Sequence, residues 1–110
     1  ENYLKRRIYW FQKRTQDNKG FYSPTPLTFD VSDFIEKFGK ITNCALTGIE
    51  IDLETRRDWD LDHIIPLSQG GSNTLDNCQV LLREINQMKH GLSEERLLDY
   101  CKLIIQNKRI

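Results

Sequence analysis

The sequence predicts an α+β domain, and three observations carry that expectation. Apolar residues recur at helical spacing near both ends of the chain. A turn signal at Thr47-Gly48 separates two short alternating runs, and residues 58–91 read as strand, long loop, strand and helix. With 110 residues the chain has the length of one domain, large enough for a modest core. A basic helical lead-in is expected over 1–40. The central core with a C-terminal helix is expected over 41–110, the two parts forming one compact unit.

From about Tyr3 to Gln16 there is no proline or glycine, and Leu4, Ile8 and Phe11 fall on one helical stripe beside Tyr3, Arg7 and Trp10. Lys5, Arg6, Lys13 and Arg14 project elsewhere, so the helix has a basic side. Gly20 is a plausible left-handed cap, and FYSPTPLTF, with two prolines, should run as an extended loop. Thr28 or Asp30 can cap a short second helix that stops at Gly39. A small hairpin is expected in CALTGIEIDL, turning at Thr47-Gly48.

In WDLDHII, residues 59–65, Trp59, Leu61, His63 and Ile65 share one strand face while Asp60, Asp62 and Ile64 share the other. Pro66 closes that strand. A turn-rich loop leads to an apolar run, Cys78 to Leu82, and Arg83 to Lys89 reads as a helix ending near His90-Gly91. Ser93 caps a last helix whose Leu97, Leu98, Cys101, Ile104 and Ile105 should form a buried stripe packed behind the core. The aromatics Trp10, Phe11, Phe34, Phe38 and Trp59 are expected in the core.

Composition excludes several classes. Hydrophobic content of 38% with 29% charged residues argues against wholesale disorder. No apolar run approaches the roughly 18 residues of a membrane span, and ENYLKRR lacks the apolar centre of a secretion signal. Three widely spaced cysteines, Cys44, Cys78 and Cys101, with no CxxC, point to ordinary thiols in a reducing, intracellular compartment. Net charge is zero but unevenly laid out. Residues 1–20 hold six basic residues against Glu1 and Asp17, whereas residues 30–62 hold nine acids against four bases. A basic arm suits phosphate contact, and acid-rich sequence beside a histidine suits a hard metal cation.

Phosphodiester hydrolysis needs a base for water, a divalent cation for the phosphate and leaving oxygen, and a partner that holds the base in one tautomer. His63, then Asp62 with Asn86, then Asn77 are the residue types for those tasks. Adjacent strand residues face opposite ways, so Asp62 and His63 take different jobs. Asp60 shares the Asp62 face and can support it. His90, four residues after Asn86, and Lys89 are possible additions to the site, with Arg83 a possible phosphate contact.

The run LDHIIPLSQGGSNTLDNCQVLLREINQMKHG resembles the HNH nuclease motif, the ββα-metal fold of phage and homing endonucleases, many restriction enzymes and the HNH domain of RNA-guided CRISPR nucleases. The Asp-His pair, the GGS loop, the Asp-Asn before the second strand and the Asn-x-x-Lys of the helix match in order and spacing, over about a third of the chain. CALTG resembles the hairpin that leads into the motif. The resemblance implies an endonuclease in which His63 activates water, Asn77 orients His63, and Asp62 and Asn86 hold a divalent metal, magnesium or else manganese. It implies DNA as substrate, with 5′-phosphate and 3′-hydroxyl products. Lys5, Arg6, Lys13, Arg14 and Arg83 become candidate DNA-backbone contacts, with weak sequence preference and strong salt dependence expected.

Two features depart from the motif. Many members carry two CxxC pairs around a structural zinc, but here Thr47 follows Cys44 at the second position, and Leu82 and Ile85 stand where the other pair would lie. No structural zinc is expected, an apolar core taking its place. Asn86 stands where other members have histidine, which favours a hard, oxygen-ligated ion. The alternatives are a non-catalytic nucleic-acid-binding module with the same fold, or the nuclease domain of a larger restriction or homing protein.

Overall fold

The computed structural model describes the backbone of residues 2–16 and 28–109 and the side chains of 3–11 and 28–109. The expectations for Gly20 and the proline-containing loop up to residue 27 lie outside these residues. So do the side chains of Lys13 and Arg14.

The chain is α+β. Helix α1, Asn2–Gln16, turns Leu4, Ile8 and Phe11 into the core, as its apolar period requires. Trp10 departs from expectation: it is 59% exposed, in edge-to-face contact with exposed Tyr9. It lies at the margin of the stripe, which three narrower residues already fill. Helix α2, Val31–Phe38, begins at a capping box in which Asp33 N–H donates to Asp30 Oδ1 at 2.9 Å and Asp30 N–H donates to Asp33 Oδ2 at 3.1 Å. It buries Phe34 and ends at Gly39, whose φ of 75° is left-handed.

Strands β1, Ile41–Asn43, and β2, Glu50–Asp52, pair antiparallel with Thr42 opposite Ile51. Thr47-Gly48 lies in their turn as expected, but Cys44 to Thr47 belong to the turn rather than to a strand. That turn docks on the next sheet, where Ala45 N–H donates to Val80 O at 2.9 Å and Leu82 N–H donates to Cys44 Sγ at 3.5 Å. Burial would raise the Cys44 thiol, but the Thr47 hydroxyl and the amides of Leu82, Thr47 and Leu46 together outweigh it and hold the thiol below its usual value. Thr47, at the second position of the absent CxxC, is thus among the groups that hold the Cys44 thiol down.

Strands β3, Trp59–His63, and β4, Cys78–Leu82, pair antiparallel, from Trp59 opposite Leu82 to His63 opposite Cys78. Trp59 and Leu61 are buried on the core face, and all of β4 is buried. The strand ends at His63 instead of Ile65. There the side chain of Asn77 replaces the ladder, accepting from Ile65 N–H at 2.9 Å. Helix α3, Arg83–Lys89, follows β4 directly and lies against β3, giving the ββα order of strand, strand and helix.

Helix α4, Glu94–Lys108, starts at Ser93, whose hydroxyl accepts from Arg96 N–H at 3.2 Å. Of its apolar stripe only Leu97 is buried. Leu98, Ile104 and Ile105 are about half exposed, so the expected burial behind the core is not seen. Periodicity shows that a face is apolar, and here only its first turn meets α3 closely enough to be covered.

Candidate active site

Two hairpin strands and one helix bring the sequence-predicted residues together. Asp62 and His63 end β3, and α3 crosses their strand so that its side chains reach the β3 face holding Asp60 and Asp62. Asn86 Nδ2 donates to Asp60 Oδ2 at 3.1 Å, and one turn later Lys89 Nζ donates to Asp62 Oδ2 at 2.8 Å. A strand step of two residues thus matches a helix step of three. Gln79, opposite Asp62 on β4, also donates to Asp62 Oδ2, at 3.0 Å.

His63 is held differently from the sequence expectation. Its Nε2 lies 2.6 Å from Asn73 Oδ1, and Phe11 of α1 stacks on its ring at 4.8 Å between centroids. An amide oxygen can only accept, so Nε2 carries the proton in this contact, which in a neutral imidazole places the lone pair on Nδ1. Asn73 is almost fully buried. Asn77, the residue expected to orient His63, bonds the backbone instead: besides accepting from Ile65, its Nδ2 donates to the carbonyls of Ile65 and Ser72 at 3.0 and 2.7 Å. It closes the loop that carries Asn73, and so acts on His63 through that loop and through the backbone at Ile64, whose N–H donates to Asn77 O at 2.9 Å.

The loop must pass closely for this. A Cβ at Gly71 would stand 1.8 Å from Ile65 O and 2.9 Å from Asn77 Nδ2, so only glycine fits. The signal for Asn73 was present in GGSNTLDN, but SNT reads as ordinary turn chemistry.

Lys89 is the other departure. It is 1% exposed, donating to Asp62 and to His63 O at 3.1 Å, and is neither a surface charge nor open to phosphate in this state. Arg83, a candidate DNA contact, is held on Asp60 Oδ1 at 3.1 Å, where Arg7 of α1 also binds at 2.9 Å. Both guanidiniums also donate to Trp59 O. Asp60 thereby supports the site as a hub between α1, β3 and α3. His90 has left the helix: it is the C-cap, with φ of 35°, and its side chain is exposed. Lys5 and Arg6 are exposed on α1, Arg6 over the ring of Tyr3.

No group of three or more His, Cys, Asp or Glu able to hold a metal occurs among the described residues. The two residues expected to hold a metal are Asp62 and Asn86. Asp62 engages Lys89 and Gln79 through Oδ2, and Asn86 engages Asp60 through its NH₂. This leaves Oδ1 of each without a hydrogen bond among the described residues. A carboxylate and an amide oxygen fit a hard divalent cation whose other ligands are water and phosphate oxygens.

Residues 42–91 match the family model described as HNH endonuclease. No curated protein and no solved structure matches the chain.

Proposed function

We propose that this chain, whose residues 42–91 match the HNH endonuclease family model, is a nuclease that cuts duplex DNA by metal-dependent hydrolysis of phosphodiester bonds. The observation that carries the reading is His63 at the end of β3, its Nε2 engaged by Asn73 and its ring stacked on Phe11. A neutral imidazole so held offers Nδ1 to a water. His63 takes the proton as that water attacks the phosphorus in line, and the 3′-oxygen departs.

Asp62 and Asn86 would hold the divalent cation, magnesium or manganese. When bound, it supplies positive charge to the phosphate and the departing oxygen. Gln79 and Lys89 hold the Asp62 carboxylate in one orientation, and Asn77 with Gly71 holds the loop that carries Asn73. Lys5 and Arg6 supply backbone contact, so binding weakens steeply with salt and depends little on sequence.

The second reading, a non-catalytic nucleic-acid module, draws on one observation. The buried ammonium of Lys89 already neutralises Asp62. Cleavage of supercoiled plasmid with magnesium or manganese separates the two, with EDTA and His63→Ala run alongside. The nuclease reading expects open-circle or linear product that is lost in EDTA and falls at least roughly 100-fold in the variant. Equal inertness of both proteins, with DNA still bound, would sink it in favour of the module.

A further inference from the structure

Among the described residues, the apolar stripe of α4 is left uncovered by the chain's own fold. Leu98, Ile104 and Ile105 are 49–57% exposed along one side of a 15-residue helix, on the same arc as buried Leu97 and partly buried Cys101. A contiguous apolar stripe of that kind marks an interaction surface.

We propose that the partner is a second copy of this chain, bound through an antiparallel, two-fold pairing of α4 with α4. The charges along the helix select this occupant. Glu94, Glu95 and Asp99 load its first half, against Arg96 alone, while Lys102, Lys108 and Arg109 load its end. An antiparallel copy sets each acidic end against a basic one, and opposed helix dipoles add to the attraction.

The same geometry solves the packing. In a two-fold pairing centred on Cys101, Glu94 faces Lys108 of the second copy, Leu98 faces Ile104, and Cys101 faces itself. Charge and apolar pairs fall into register together. A parallel pairing would set like charges side by side at both ends. The helix is about 22 Å long. Its half-exposed side chains offer on the order of 250 Å² of apolar surface per copy, about a third of the roughly 800 Å² per partner that a stable interface buries, the polar side chains along the helix supplying the rim. The pairing gives the assembly two copies of the Asp62–His63 site.

Sedimentation velocity of the metal-free chain across the micromolar range tests this without any need for cleavage, so its outcome is independent of the nuclease reading. Mass should rise from one chain to two with concentration. Ile104→Glu with Ile105→Glu, at positions already exposed in the single chain, should weaken the dimer at least roughly 30-fold. A short bismaleimide should link the copies through Cys101, and Cys101→Ser should abolish the link, Cys44 and Cys78 being buried. A single-chain mass at every concentration overturns the proposal and assigns the face to a different partner. A dimer that survives the glutamate variant, or one that never links through Cys101, overturns it equally.

Discussion

With His63 Nε2 bound to Asn73 Oδ1, the side chain at position 73 decides which ring nitrogen keeps its lone pair. Asn73→Ala should therefore lower kcat roughly 10- to 100-fold, the usual effect of removing a partner that orients a functional side chain. KM and DNA affinity should stay near wild type. Asn73→Asp, which keeps an acceptor, should recover most of the rate. Single-turnover cleavage beside DNA binding measures both, and an Ala variant that loses affinity as much as rate would reduce Asn73 to a structural role. Sequence spacing placed Asp62 and His63 on opposite faces of one strand and Asn86 on the helix behind it, because strand and helix periods are fixed by backbone geometry. It could not separate Asn73 from Asn77. Both lie in one turn-rich loop, and which of them reaches the imidazole depends on the close passage at Gly71. Nor could it bury Lys89, since a lysine enters a core only when acceptors such as Asp62 Oδ2 and His63 O already wait there.

Between elements, Asp60 is the strut. Its Oδ1 takes Arg7 from α1 and Arg83 from α3, and its Oδ2 takes Asn86, while its side chain is 14% exposed. Asp60→Ala leaves two guanidiniums sharing Trp59 O and should destabilise the fold by about 2 kcal/mol, below the figure for a fully buried pair because Arg83 is partly solvated. Urea unfolding reads the loss, and amide exchange in α1 should rise first. Asp58→Ala is the control. It breaks an exposed pair with Arg56 and should cost far less than Asp60→Ala. Equal effects of the two substitutions would show that the strut does no more than a surface pair. The hairpin turn, the Asp30 cap and the ends of α3 were legible because each has local chemistry of its own. The early end of β3 was not, because it depends on a side chain twelve residues away. The uncovered face of α4 was not legible either, since amphipathicity carries no record of what lies opposite.

For the molecule as a whole, the closed ββα unit has a built-in dependence on alkaline pH. Cys78 begins β4 opposite His63, and burial pushes its thiol up to about 12, with the Asp62 charge adding to the rise and Lys37 opposing it. In the unfolded chain the same thiol titrates near 9.0. The sign follows from proton counting: between these values the unfolded chain has released a proton that the folded one keeps, so raising pH favours unfolding. The thiol's contribution is fully present below pH 9 and is lost as pH rises toward 12. Lysines and tyrosines titrate over the same range, so the measurement must isolate Cys78. Cys78→Ala should be less stable than wild type at neutral pH, from the volume it empties in a fully buried strand. The gap between the two proteins should then narrow by about 1.4 kcal/mol per pH unit above 9. Urea unfolding of both at pH 8, 9, 10 and 11, with the pH values chosen as roughly unit steps through the titration, gives the gap directly. A gap that stays constant across that range would mean that Cys78 ionises in the native state as easily as in the unfolded one, and that the start of β4 admits water which the folded hairpin should exclude.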